Sequence, residues 1–112
     1  MAIKDWSENI ILVDLQDDPQ FSDDLNAVSD LVHKRNGSDV VLDFSGVNYL
    51  NSSNIAKLLK LRKALHSTTP GRLKLCAMRD SVWGVFLVTG LDKVFDFCDD
   101  VSSGLAGLQL ER

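Results

Sequence analysis

Side chains that move protons, attack electrophiles or hold metals are few in this sequence, and most have plain explanations. His33 and His66 are the two histidines, and each falls near the C-terminal end of a predicted helix. A histidine is favoured there by the helix dipole and needs no catalytic role. Cys76 and Cys98 lie in or beside predicted strands, where a free thiol packs as a small hydrophobe. Two cysteines supply neither a disulfide framework nor a four-ligand zinc site. Asp17, Asp18, Asp23 and Asp24 concentrate carboxylates but lack the alternating spacing of a calcium loop, and capping and solubility account for them. Neither G-x-G-x-x-G nor a Walker A loop occurs, so no phosphate cradle is written into the chain. The reading is therefore of a non-enzyme, with no catalytic residue, no cofactor and no metal. What remains is a pair of hydroxyls, Ser52-Ser53, between Asn51 and Asn54 at the start of an apolar helical pattern. Serine there is a preferred N-cap. It is also where a fold tolerates an added phosphate, because the first N–H groups of a helix lack partners and carry about half a positive charge.

The elements that must position this pair follow from periodicity. Ile10-Ile11-Leu12-Val13, within Glu8 to Leu15, reads as a strand, and Gln16 to Gln20 as a turn. Ser22-Asp23-Asp24 opens a helix with Leu25, Val28 and Val32 on one face, closed by His33-Lys34-Arg35 and Gly37. Val40 to Phe44 is a continuous apolar strand of the kind buried on both faces. After the loop Ser45 to Asn51, the second helix places Ile55, Leu58, Leu59 and Leu65 inward. Ser53, Lys57, Lys60 and Ala64 then share its outward flank. Pro70-Gly71 ends that segment, and Leu73 to Ala77 alternates as a strand. Asp80 or Ser81 caps a third helix, with Val82, Val85, Phe86 and Thr89 on one side, Trp83 and Leu87 together on a flank, and Gly90 past the end. Val94 to Phe97 is a short strand, and Asp99-Asp100 opens a last helix carrying Val101, Leu105 and Leu108.

Strands alternating with helices imply right-handed crossovers. The fold class is α/β: an open, mixed, mostly parallel sheet of about four strands with about four helices packed on it. The 112 residues are one domain's worth, taken as a single domain over 1–112 with its core at about 8–109. A net charge of −4 argues against nucleic acid, which selects a basic footprint. No apolar run reaches the roughly 20 residues of a membrane helix, and Met1 to Trp6 is no signal peptide. The expectation is a cytoplasmic protein without membrane insertion.

The stretch from Val40 to Lys63, VVLDFSGVNYLNSSNIAKLLKLRK, resembles the STAS domain of bacterial anti-sigma factor antagonists. There a hydrophobic strand ends in Asp, a Ser-x-Val loop follows, and Asp-Ser-Ser-Gly opens the next helix; Asp43, Ser45, Val47, Leu50, Ser52 and Ser53 hold the matching places. Val88 to Phe95 resembles the family's turn from helix into last strand, and Asp99-Asp100-Val101 the start of its final helix. The resemblance implies a STAS-like domain that binds a partner acting as both anti-sigma factor and serine protein kinase. It implies phosphorylation at Ser52, with the unphosphorylated form bound and the phosphorylated form released. The implied partner-binding residues are Asn51, Ser52, Ser53, Asn54, Lys57 and Lys60. Plain capping by the serines and a solvated lysine face are the structural alternatives. The functional alternative is a scaffold subunit of a stressosome-type or ABC-transporter-associated assembly, with Trp83 and Leu87 packed against other subunits. Nucleotide or small-ligand binding near Asn51–Asn54 is a third. Asn51 and Asn54 depart from the family's Asp and Gly, and both fall on the predicted docking rim. Asp17 to Phe21 leads directly into the first helix where the family often has a second strand, and Pro19 limits any strand there to an edge.

Overall fold

The computed structural model describes residues 3–7, 9–35, 38–67 and 71–110. In chain order these form β1 (Ile3–Ser7), β2 (Ile10–Gln16), α1 (Gln20–Lys34), β3 (Asp39–Gly46), α2 (Ser52–His66), β4 (Leu73–Cys76), α3 (Asp80–Thr89), a 3-10 turn (Leu91–Lys93), β5 (Asp96–Cys98) and α4 (Val101–Leu110). The strands lie in the order β1-β2-β3-β4-β5. β1 and β2 are antiparallel, and every other neighbouring pair is parallel. The mixed, mostly parallel sheet with four helices is as expected, with a fifth strand added at the edge. That strand, β1, is exposed at every residue after a half-buried Ile3, so it carries no continuous apolar run to announce it. Its Asp5 accepts Arg35 Nη1 at 2.6 Å, which links the edge strand to the end of α1. Glu8, Gly37 and Pro70, which figured in the expected boundaries, lie outside the described residues.

Period-two alternation sorts the sheet onto two unequal faces. Ile11, Val13, Leu15, Val40, Leu42, Phe44 and Leu75 pack against Phe21, Leu25, Val28 and Val32 of α1, Leu58, Leu61 and Leu65 of α2, and Val82 and Phe86 of α3. On the opposite face Ile10, Val41 and Cys76 meet Leu105 and Leu108 of α4. β3 is buried on both sides, which is why Val40-Val41-Leu42 within it reads as a continuous apolar run. α4 sits so low on the sheet that a Cβ at Gly104 would fall 2.7 Å from Cys76 Sγ, and only glycine permits that approach. At the other end of the strands, buried Asp39 accepts the Arg72 backbone N–H at 2.8 Å and Arg72 Nη2 at 3.2 Å. The same nitrogen donates to the Leu108 carbonyl at 3.1 Å, fastening β3, β4 and α4 together.

Three local expectations shift. α1 begins at Gln20, because Asp18 Oδ1 accepts both the Ser22 N–H (2.9 Å) and the Ser22 hydroxyl (2.7 Å), taking the capping role expected of Ser22. α2 is rotated: its buried residues are Asn54, Leu58, Leu61, Ala64 and Leu65. Leu59 is 39% exposed, and Ala64, expected outside, is inside. Apolar side chains at 55, 58, 59, 61 and 65 cover too wide an arc for spacing alone to fix the inward direction. The last strand begins two residues later than expected, because residues 91–93 wind into a 3-10 turn after Gly90, whose φ of 76° closes α3 as its sequence position predicts.

Candidate functional site

Parallel strands direct their carboxyl ends, and the loops after them, to one side of the sheet, where open α/β folds place their sites. Here the loop from β3 to α2 is held from both flanks. On one flank Asp17 accepts the Asn48 backbone N–H and Asn48 Nδ2, both at 2.8 Å. Asp18 Oδ2 accepts Asn54 Nδ2, also at 2.8 Å. On the other flank Ser81 Oγ donates to the Asn48 carbonyl at 3.0 Å, and Arg79 Nε donates to the Ser45 carbonyl at 2.7 Å. Within the loop, Asn51 Oδ1 accepts the Asn54 N–H at 2.9 Å while Asn54 Oδ1 accepts the Asn51 N–H at 3.1 Å, a reciprocal capping box.

This geometry decides what the serines do structurally. The N-cap of α2 is Asn51, so Ser52 is the first helical residue and its hydroxyl is not the cap. Ser52 and Ser53 are both exposed. Ser53 Oγ accepts Lys57 Nζ at 3.0 Å, which folds half-buried Lys57 back along the helix, while Lys60 points to solvent. Asn51 is exposed beside them. Asn54 is placed otherwise than expected: at 1% exposure its side chain is inside, occupied by Asn51 and Asp18, and it presents nothing on the rim. Tyr49, 53% exposed on the same loop, adds an aromatic surface that the serine-centred reading passed over. Asp17, Asp18, Arg79 and Ser81 also belong to the site as its supports. The acids stood out in the sequence as turn residues, but their partners lie about 30 positions away and no local pattern pairs them.

The electrostatics follow from these contacts. Hydrogen bonds from Asn54 first, and then Ser22, hold the Asp18 carboxyl below its ordinary value, and Asn48 does the same for Asp17. A carboxyl depressed in the folded state binds its proton less readily there than in the unfolded chain. Its stabilising contribution is therefore present above the unfolded value of 3.8 and lost as pH falls below it through the folded value. Replacing Asp18 by Asn should flatten the fall in urea midpoint across that acid window. An unchanged slope would mean that Asp18 is not a source of the acid sensitivity.

Other candidate chemistry resolves into packing. His33 Nδ1 lies 2.8 Å from the Ser29 carbonyl oxygen, and both histidines fall in last helical turns. Burial first, and then neighbouring Cys98, push the Cys76 thiol up to about 12, so it is no nucleophile near neutral pH. Trp83 packs edge-on against Phe97 at 4.8 Å, while Leu87 beside it is half exposed. Among the described residues no group of three potential ligands is arranged for a metal. None of the described helices is long and apolar enough to cross a membrane.

The sequence profile of the STAS domain matches residues 7–104. The chain belongs to the STAS domain family. Its fold is shared by an anti-sigma factor antagonist STAS domain protein from Planctomyces limnophilus, with 17% identity, 89% of this chain and 91% of that one covered, and a TM-score of 0.78. It is also shared by the anti-sigma factor antagonist SpoIIAA in its unphosphorylated form, with 14% identity, 96% and 94% covered, and a TM-score of 0.79. Identities this low carry the STAS architecture alone. A comparison with curated proteins finds no match. Within the STAS fold, the two asparagines that differ from the family pattern form one capping unit around the serine pair.

Proposed function

We propose that this STAS domain is an anti-sigma factor antagonist. It docks an anti-sigma factor that is also a serine kinase, and phosphorylation of Ser52 releases that partner and so regulates transcription. The docking surface comprises Asn51, Ser52, Ser53, Lys57, Lys60 and the exposed ring of Tyr49. One observation carries the reading: Asn51 does the capping, so the Ser52 hydroxyl stands exposed at the first position of α2, where the first turn holds no acid. A phosphate there meets the positive end of the helix and leaves the core untouched. Its charge of roughly −1.5 to −2 penalises a docked protein through desolvation. The protein acts by binding, in the cytoplasm where its partner works, and the phosphoryl transfer belongs to the kinase.

The test uses candidate anti-sigma kinases with ATP. Intact mass and fragmentation should place one phosphate on Ser52. Ser52→Asp should weaken the complex by at least about tenfold with an unchanged unfolding midpoint, while Ser52→Ala keeps binding. Equal binding by both variants would remove the switch; absence of any complex would remove the function. Exposed Leu87 (51%) and Val88 (89%) favour a second reading, the scaffold subunit packed against neighbours. A monomer by light scattering at all concentrations would eliminate it.

A further inference from the structure

We propose that a cavity between α3 and β5 binds the guanidinium group of an arginine side chain presented by a bound polypeptide. The cavity, of about 260 Å³, lies at the carboxyl ends of β4 and β5 and is lined by Met78, Asp80, Trp83, Phe97, Cys98 and Asp99. Its walls are half-buried apolar groups: Met78 and the edge-on pair Trp83 and Phe97, whose planes meet at 81°. Its two charged members are the exposed carboxylates Asp80 and Asp99, and no lining residue is basic. Arg79, the basic residue next to Asp80 in the chain, is turned away to the Ser45 carbonyl. An aromatic slot with acids at its mouth selects a cation that has an apolar stem and a weakly hydrated head. Guanidinium fits better than ammonium, because its plane stacks on indole and its paired N–H groups match a carboxylate. The volume suits such a head with its methylenes and is below the usual range for drug-sized ligands.

A polypeptide source is favoured by position. Ser81, in the first turn of α3, is hydrogen-bonded to the β3–α2 loop at Asn48, so the cavity opens on the same end of the sheet as Tyr49 and Ser52. The assignment does not depend on phosphorylation of Ser52, and its test does not use the kinase.

The probe is acetyl-Gly-Arg-Gly-amide, titrated into the labelled protein while the indole N–H resonances are followed. Trp6, the other tryptophan, lies on β1 at the opposite edge of the sheet and serves as internal control. The expected result is a saturable shift of the Trp83 signal alone, with millimolar affinity. The citrulline peptide, the neutral isostere, should bind about tenfold more weakly. Asp99→Asn, on an exposed loop, should weaken the arginine peptide to a similar degree with the remaining spectrum unchanged. No saturable Trp83 shift, equal binding of the citrulline peptide, or full binding by Asp99→Asn would each overturn the proposal.

Discussion

Replacing Phe86 by alanine should lower the unfolding free energy by about 4 kcal/mol, the middle of the range for a fully buried aromatic. Phe86 is inaccessible to solvent and is the centre of an edge-to-face cluster, with ring centroids 6.5 Å from Phe44, 5.9 Å from Phe95 and 5.2 Å from Phe97. Truncation removes the ring's hydrophobic transfer energy and three aromatic contacts, and it leaves a cavity that three stiff neighbours fill poorly. Domains of this size are stable by roughly 5–15 kcal/mol, so the loss is a large share of the total. Urea unfolding should show a lower midpoint at an unchanged slope. A loss below about 1 kcal/mol would mean that the cluster collapses around the gap. Since Phe97 also walls the cavity beside Trp83, the variant should broaden the Trp83 indole resonance as well.

The second large effect is expected at Asn54. Asn54→Ala should cost about 2 kcal/mol, because it removes a bond to the Asp18 carboxylate and the return bond to the Asn51 N–H, both part-buried. Alanine is a good helix former, so propensity cannot explain a loss of that size. Asn54→Asp should be worse than alanine, since it sets a second carboxylate against Asp18. The family's glycine at this position should also lose both side-chain bonds. Beyond global stability, the loop from Val47 to Asn51 should exchange its amide protons faster in Asn54→Ala, because Asp18 then holds it from one side less. If stability and loop protection are both unchanged, the capping box is not what presents Ser52.

These two residues mark where sequence reasoning succeeds and where it stops. Phe86 was legible: it recurs with Val82 at helical spacing and closes on Gly90, so its inward direction followed from periodicity. Asn54 was not. A polar residue three places into a helix reads as surface by type, and only a carboxylate from the β2–α1 loop, 36 positions earlier, makes its burial possible. The orientation of α2 failed for a related reason. Its apolar residues span more than one face, and the contact with α1 and the sheet decided between Leu59 and Leu61. β1 went unassigned because an edge strand owes its existence to the hydrogen-bonding row of β2 rather than to its own hydrophobicity.

The amino-acid sequence by itself determined the α/β class, the order of the main helices and strands, the αL stop at Gly90 and the place of the serine pair at the head of α2. Each of these is set by local periodicity, capping chemistry and backbone conformation, which act over a few residues. Tertiary structure alone decided that Asn54 turns inward to Asp18, and that Trp83 and Phe97 meet beside two exposed acids. Those outcomes depend on groups far apart in the chain, which have no energy of interaction until the sheet brings its loops to one end.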